Sequence, residues 1–138
     1  MQNLTSGIEA QLINIHNPAT FYEPGNASST LNTWNYQSGY FIKLSSSAVL
    51  EIPGNTPSSK TINLTTGWNL IPVLTTCPVS IVSLFGTQIS KTEVIKDAVG
   101  LNIYWPIRGI STLNLLVPGR SYLVKVTQNI QVTFPDCQ

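Results

Sequence analysis

The chain has 138 residues, enough for one domain or two small ones. Seven Lys and Arg stand against six Asp and Glu, a net charge of +1, and charged residues make up only 9%. That balance supplies no basic stripe for phosphates and argues against a nucleic-acid partner. Apolar residues reach 42%, enough for a core, and no apolar run approaches the roughly eighteen residues of a membrane helix.

In chain order, Met1-Gln2-Asn3-Leu4-Thr5 has no basic stretch followed by an apolar one, so no signal peptide is read there. The chain is then either cytosolic or a piece of a longer secreted protein. Tyr40-Ile42-Leu44 and Ala48-Leu50-Ile52 alternate like strands, with Ser45-Ser46-Ser47 between them as a short polar hairpin turn. The stretch from Thr61 to Val73 reads as one strand or two, with Gly67 allowing a bend. Its alternation Ile62, Leu64, Trp68, Leu70 places Trp68 in the core. Pro78 to Phe85 is the one plausible short helix, with proline at its start and Gly86 after its end. Tyr122-Val124-Val126 and Ile130-Val132-Phe134 repeat the strand pattern around a second polar turn, Thr127-Gln128-Asn129.

The repetition is systematic. Sliding the sequence by 82 positions gives 11 identities in 56 gap-free pairs. Ser29-Thr30-Leu31-Asn32 falls on Ser111-Thr112-Leu113-Asn114, Tyr22 on Tyr104, Tyr40 on Tyr122, and Ile13 on Ile95. The expectation is an all-β antiparallel sandwich or barrel-like domain with an internal pseudo-two-fold repeat and at most one short helix. It is divided into copy one (1–56), central strands (57–74) and copy two (75–138). Copy one has no counterpart of the central strands ahead of it. Either the chain begins inside a repeat, or the central strands serve both halves of one compact domain, and the second reading is favoured. The two cysteines, Cys77 and Cys137, are either one disulfide or two separate thiols. The uncharged, extracellular-looking composition favours the bridge.

Gly67-Trp68-Asn69-Leu70-Ile71, then Tyr104-Trp105-Pro106, Gly109-Ile110-Ser111-Thr112-Leu113 and Pro118-Gly119-Arg120-Ser121-Tyr122-Leu123-Val124-Lys125-Val126, carry a resemblance. They are similar to the GWNLI…YWP…PGxGYxIKV β-modules appended to secreted bacterial surface proteins and exported enzymes. Ser121 departs from the usual glycine, and copy one lacks the Pro-Gly turn. The resemblance implies a non-catalytic module, secreted or at the cell surface, attached to a larger parent protein and lacking a cofactor.

Candidate chemistry is sparse. His16 is the only histidine, and no G-x-S-x-G element accompanies it, so a loop histidine is the plainer reading. Glu93 and Asp97 fall on one face of a strand, the spacing of a potential carboxylate pair, but outward, solvated charges are the simpler account. Aromatics remain. Sugar rings offer apolar C–H faces to flat aromatic platforms and hydroxyls to amides, and Ser, Thr, Asn and Gln supply 48 of the 138 residues. Aromatics shared by both copies build scaffold. Trp34, Tyr36 and Trp105 sit opposite Leu116, Pro118 and Glu23, so the fold does not require a ring there. These three are the candidate ligand-binding residues. The expected function is a carbohydrate-binding module on a polysaccharide such as cellulose or another glucan, with no membrane insertion. The alternative is a structural or adhesive spacer with no small ligand.

Overall fold

The computed structural model describes all residues, 1–138. It is all-β with several antiparallel sheets and divides into two compact units. Unit 1 comprises 1–35 and 40–56, and unit 2 comprises 36–39 and 57–138. Where the sequence leads to one compact domain, the chain thus forms two bodies, each with its own core.

Unit 1 opens with a single helical turn, α1 (Gln2–Thr5), followed by β1 (Leu12–His16), β2 (Phe21–Tyr22) and β3 (Phe41–Leu44). The strands form one antiparallel sheet in the order β2-β1-β3. Ile15 and Leu12 point inward with Ile8, Tyr22 and Leu31, and Trp34, Tyr40, Leu44, Ala48 and Leu50 pack around them. Residues 48–51 form no strand.

Unit 2 contains β4 (Thr61–Leu64), β5 (Gly67–Ile71), β6 (Val79–Ser80), α2 (Ile81–Phe85), β7 (Thr92–Asp97), β8 (Ile103–Trp105), β9 (Ile110–Ser111), β10 (Leu115–Leu116), β11 (Tyr122–Val126) and β12 (Ile130–Thr133). Its main sheet runs β5-β11-β7-β8-β9, while β12 pairs with β4 and β10 with β6. Ile71, Tyr122, Val124, Val126 and Ile95 are fully buried on the inner face, because alternation sends every second side chain of a strand to the same side. The helix lies where the proline and glycine punctuation puts it. Ser80 caps it by accepting from the Ser83 amide, and Gly86 ends it at a positive φ, after which a 3₁₀ stretch, Gly86–Lys91, continues the turn.

The two units repeat the same contacts. Ile15 pairs with Tyr22 and Ile42, as Ile95 pairs with Tyr104 and Val124. The Thr30 and Leu31 amides both donate to the Phe21 carbonyl, as those of Thr112 and Leu113 do to Ile103. The Asn35 amide donates to the Tyr40 hydroxyl and the Val117 amide to the Tyr122 hydroxyl. The Met1 nitrogen donates to the Asn32 carbonyl, as the Ile81 amide does to Asn114. After the β1–β2 and β7–β8 turns the offset is 82, as expected. Before them it is 80: Ile15, not Ile13, matches Ile95, and α1 matches α2. The β7–β8 turn is two residues longer than β1–β2, so the gap-free match is wrong over the first seventeen residues.

Two local expectations also change. Residues 127–129 do not close a hairpin, because β11 and β12 pair with different strands in different sheets. The turn is a corner between sheets. The central strands form their ladders with copy two, β4 with β12 and β5 with β11, and also take hydrogen bonds from copy one, the Gln37 side chain to the Thr61 carbonyl and the Gly39 amide to the Leu70 carbonyl. Cys77 and Cys137 form a disulfide across 60 positions of sequence, and the Thr75 hydroxyl lies 2.9 Å from the Cys137 sulfur.

Candidate functional site

The outward face of the main sheet in unit 2 is set by register. Trp68 on β5 pairs with Lys125 on β11, which pairs with Val94 on β7. Ile95 pairs with Tyr104, so one step along the ladder brings Trp105 level with Val94, and Trp105 pairs with Ile110 on β9. Trp68, Lys125, Val94, Trp105 and Ile110 therefore form one cross-strand row. Leu70, Leu123, Lys96 and Ile103 form the next row on the same face. Trp68 and Trp105 stand three strands apart, about 14 Å at the usual interstrand spacing.

Trp68 is 53% exposed, contrary to its expected place in the core. The period-2 count from Leu64 to Trp68 runs through Thr65-Thr66, a turn between strands of two different sheets, and Gly67, at the start of β5, adopts a φ of +99°. The phase resets, and Ile71 rather than Trp68 enters the core. Trp105 is half-buried; its neighbour Tyr104 faces the core and Trp105 faces away. The Arg108 guanidinium carbon lies 5.4 Å from the centroid of the Trp105 ring, a cation–π approach that sets hydrogen-bond donors beside the indole. Lys125 is paired with Glu93 at 3.1 Å, so the centre of the row carries little net charge.

The other two sequence candidates differ from Trp105. Tyr36 belongs to unit 2 and is 43% exposed, in a segment held to β4 and β5: the Gln37 side chain donates to the Thr61 carbonyl and the Gly39 amide to the Leu70 carbonyl. Trp34 belongs to unit 1, where it is half-buried, packs on that unit's core and stacks on Tyr40 with centroids 4.3 Å apart. Trp105 and Tyr36 thus fall in one unit and Trp34 in the other. Exposed Trp68 was the residue that sequence reasoning missed. The clue was Gly67, whose turn interrupts the alternation.

Of the titratable candidates, His16 stacks on Phe41 at 5.2 Å. Glu93 is held by Lys125. Asp97 is not an outward charge. It is buried, accepting from the Asn102 amide at 3.2 Å and the Asn102 side-chain nitrogen at 3.0 Å, and so braces the β7–β8 turn. Gly100 belongs in that turn because a Cβ there would lie 2.5 Å from the Asp97 carboxylate. A shallow hollow of about 390 Å³ beside β4 and β12 is lined by Leu64 and Ile130 together with the amides of Asn63, Gln88, Asn129 and Gln131, and the Gln88 side-chain oxygen is buried without a partner. No helix is long and apolar enough to cross a membrane. Comparison with protein families, curated proteins and solved structures found no match to this chain.

Proposed function

We propose that the chain is a non-catalytic polysaccharide-binding module that holds a larger exported protein on its substrate. The reading rests on one observation: Trp68 lies 53% exposed in the same cross-strand row as outward-facing Trp105. A sheet face with indoles at two points about 14 Å apart suits an extended chain of sugar rings, whose C–H faces pack on aromatics. Lys96, Lys125 and Arg108 add donors for hydroxyls along the same surface. The platform is therefore assigned to Trp68 and Trp105, with Tyr36 of the same unit as a further exposed ring, and Trp34 is assigned to packing. The Cys77–Cys137 bridge supports an oxidising, extracytoplasmic setting.

The spacer reading draws support from Trp34, whose packing on the core gives an aromatic a purely structural job. Retention on insoluble cellulose and related glucans separates the two. The binder retains on at least one of them, and Trp68→Ala and Trp105→Ala each release it while the near-ultraviolet spectrum of the remaining aromatics is preserved. Retention on none, or retention indifferent to both changes, leaves the spacer.

A further inference from the structure

Unit 1 keeps the apolar positions of unit 2 and lacks the strands that cover them. In unit 2, β11 lies inside its sheet with β5 on its outer side, and β12 pairs with β4 through Ile130–Leu64 and Val132–Ile62. In unit 1, β3 is the matching strand and stands at the edge of its sheet. Residues 48–51, which match β12, form no strand. The side chains have nevertheless stayed aliphatic. Ile42, Leu44, Ala48, Leu50 and Ile52 fall on Val124, Val126, Ile130, Val132 and Phe134. The second set is buried throughout, with Val124 at 0% and Phe134 at 2% exposure, whereas Ile42 is 42% and Ile52 44% exposed.

We propose that unit 1 is a receptor for a β-hairpin of the kind that Thr61–Leu64 and Gly67–Ile71 form in unit 2. One strand adds to the edge of β3 as β5 adds to β11. The other pairs with 48–51 as β4 pairs with β12, giving that segment the ladder it lacks. This is recognition by strand addition, in which backbone hydrogen bonds supply the binding and alternate side chains supply the choice of partner. The occupant is fixed by what already fills the same place in unit 2. Its first strand carries two inward aliphatics two residues apart, like Ile62 and Leu64, then a short polar turn with glycine, then a strand of the Gly-Trp-Asn-Leu-Ile type. The proposal does not depend on glycan binding, which is placed in unit 2.

The test exploits the match of Met1 with Ile81. A duplicate of residues 57–80, carrying Cys77→Ser, is placed directly ahead of Met1, so that it joins unit 1 as Ser80 joins Ile81. Amide hydrogen exchange at residues 41–44 and 48–51 is compared with the parent chain. The expected result is slowing on the order of 100-fold at both segments, reversed by Ile42→Asp in the extended chain. Exchange at 48–51 as fast as in the parent overturns the proposal. So does concentration-dependent dimerisation of the parent that protects the same residues, which makes a second copy the occupant.

Discussion

Ile42 and Val124 occupy the same register position, opposite Ile15 and Ile95, yet one is 42% exposed and the other fully buried. The difference lies in how many strands each unit has around the position. Unit 2 surrounds β11 with β5 and β7 and closes the other side with the β4–β12 ladder, so sixteen buried residues form one cluster. Unit 1 places β3 at an edge and gathers five buried residues ringed by partly buried ones. The comparison teaches that burial here is a property of neighbours, since similar residues at equivalent positions receive different fates.

The largest expected effect is confined to unit 2. Its disulfide closes a loop of 60 positions, for which the chain-entropy account gives about 4 kcal/mol of stabilisation. Cys77→Ser with Cys137→Ser lowers the unfolding free energy of unit 2 by about that amount. Unit 1 is expected to be unaffected, so denaturant unfolding followed by hydrogen exchange shows loss of protection at Tyr122–Val126 and none at Leu12–His16. A uniform loss across both would show that the units unfold as one.

Next comes the matched pair itself. Val124→Ala removes two methyl groups from a fully buried site and is expected to cost roughly 2–3 kcal/mol. Ile42→Ala removes more carbon from a half-open site and is expected to cost under about 1 kcal/mol. Urea denaturation of both variants reads the ratio, and equal costs would break the comparison. Gly39→Ala follows. A Cβ there would lie 2.8 Å from the Leu70 side chain and 2.9 Å from the Ser121 hydroxyl, so overpacking is expected to cost roughly 1–3 kcal/mol by the same measurement. The equivalent of Gly39 in the repeat is Ser121 itself, so a side chain is tolerated at one member of the pair and not at the other.

The features visible in the sequence are those in which a residue type has a fixed local consequence. The tyrosine pair Tyr40 and Tyr122 and the Ser-Thr-Leu-Asn pair recur because each holds a specific backbone group, and the structure shows the same hydrogen bonds in both copies. Pro78 and Gly86 bracket α2 for reasons of backbone geometry. What stayed hidden depends on the path of the chain in space. Helix α1 has no side-chain cap to announce it. Ile13 and Ile15 are both aliphatic, so the two-residue difference between the β1–β2 and β7–β8 turns is masked by a chance identity. Trp68 was misplaced because alternation carries no record of a turn that moves the chain to another sheet. The division into two units was hidden too, since the central strands carry no mark of which copy they join.

The smallest expected effect tests how firmly the C-terminal end of unit 2 is tied. Lys60 precedes β4, and its ammonium meets the Asp136 carboxylate, next to Cys137. The hydrogen bond from Lys60 and then its charge hold the Asp136 carboxyl below the usual 3.8. A carboxyl whose folded pKa is depressed contributes stability that is present above its unfolded pKa and lost as pH falls through the folded value. Asp136 is fully exposed, so salt and solvent screen the pair and its contribution is small. Asp136→Asn should therefore lower the melting temperature slightly at pH 6. The difference should shrink in high salt and vanish at a pH well below 3.8, where the parent carboxyl is itself protonated. A difference that persists in acid would mean that Asp136 acts through something other than its charge, leaving the disulfide and the hydrogen bond from the Phe134 amide to the Lys60 carbonyl among the ties at this end. Unit 1 has Gly54 at the position of Asp136, with no side chain to make such a tie. At each pH of the series, the Asp136→Asn change should leave the protection factors in β1 equal to those of the parent.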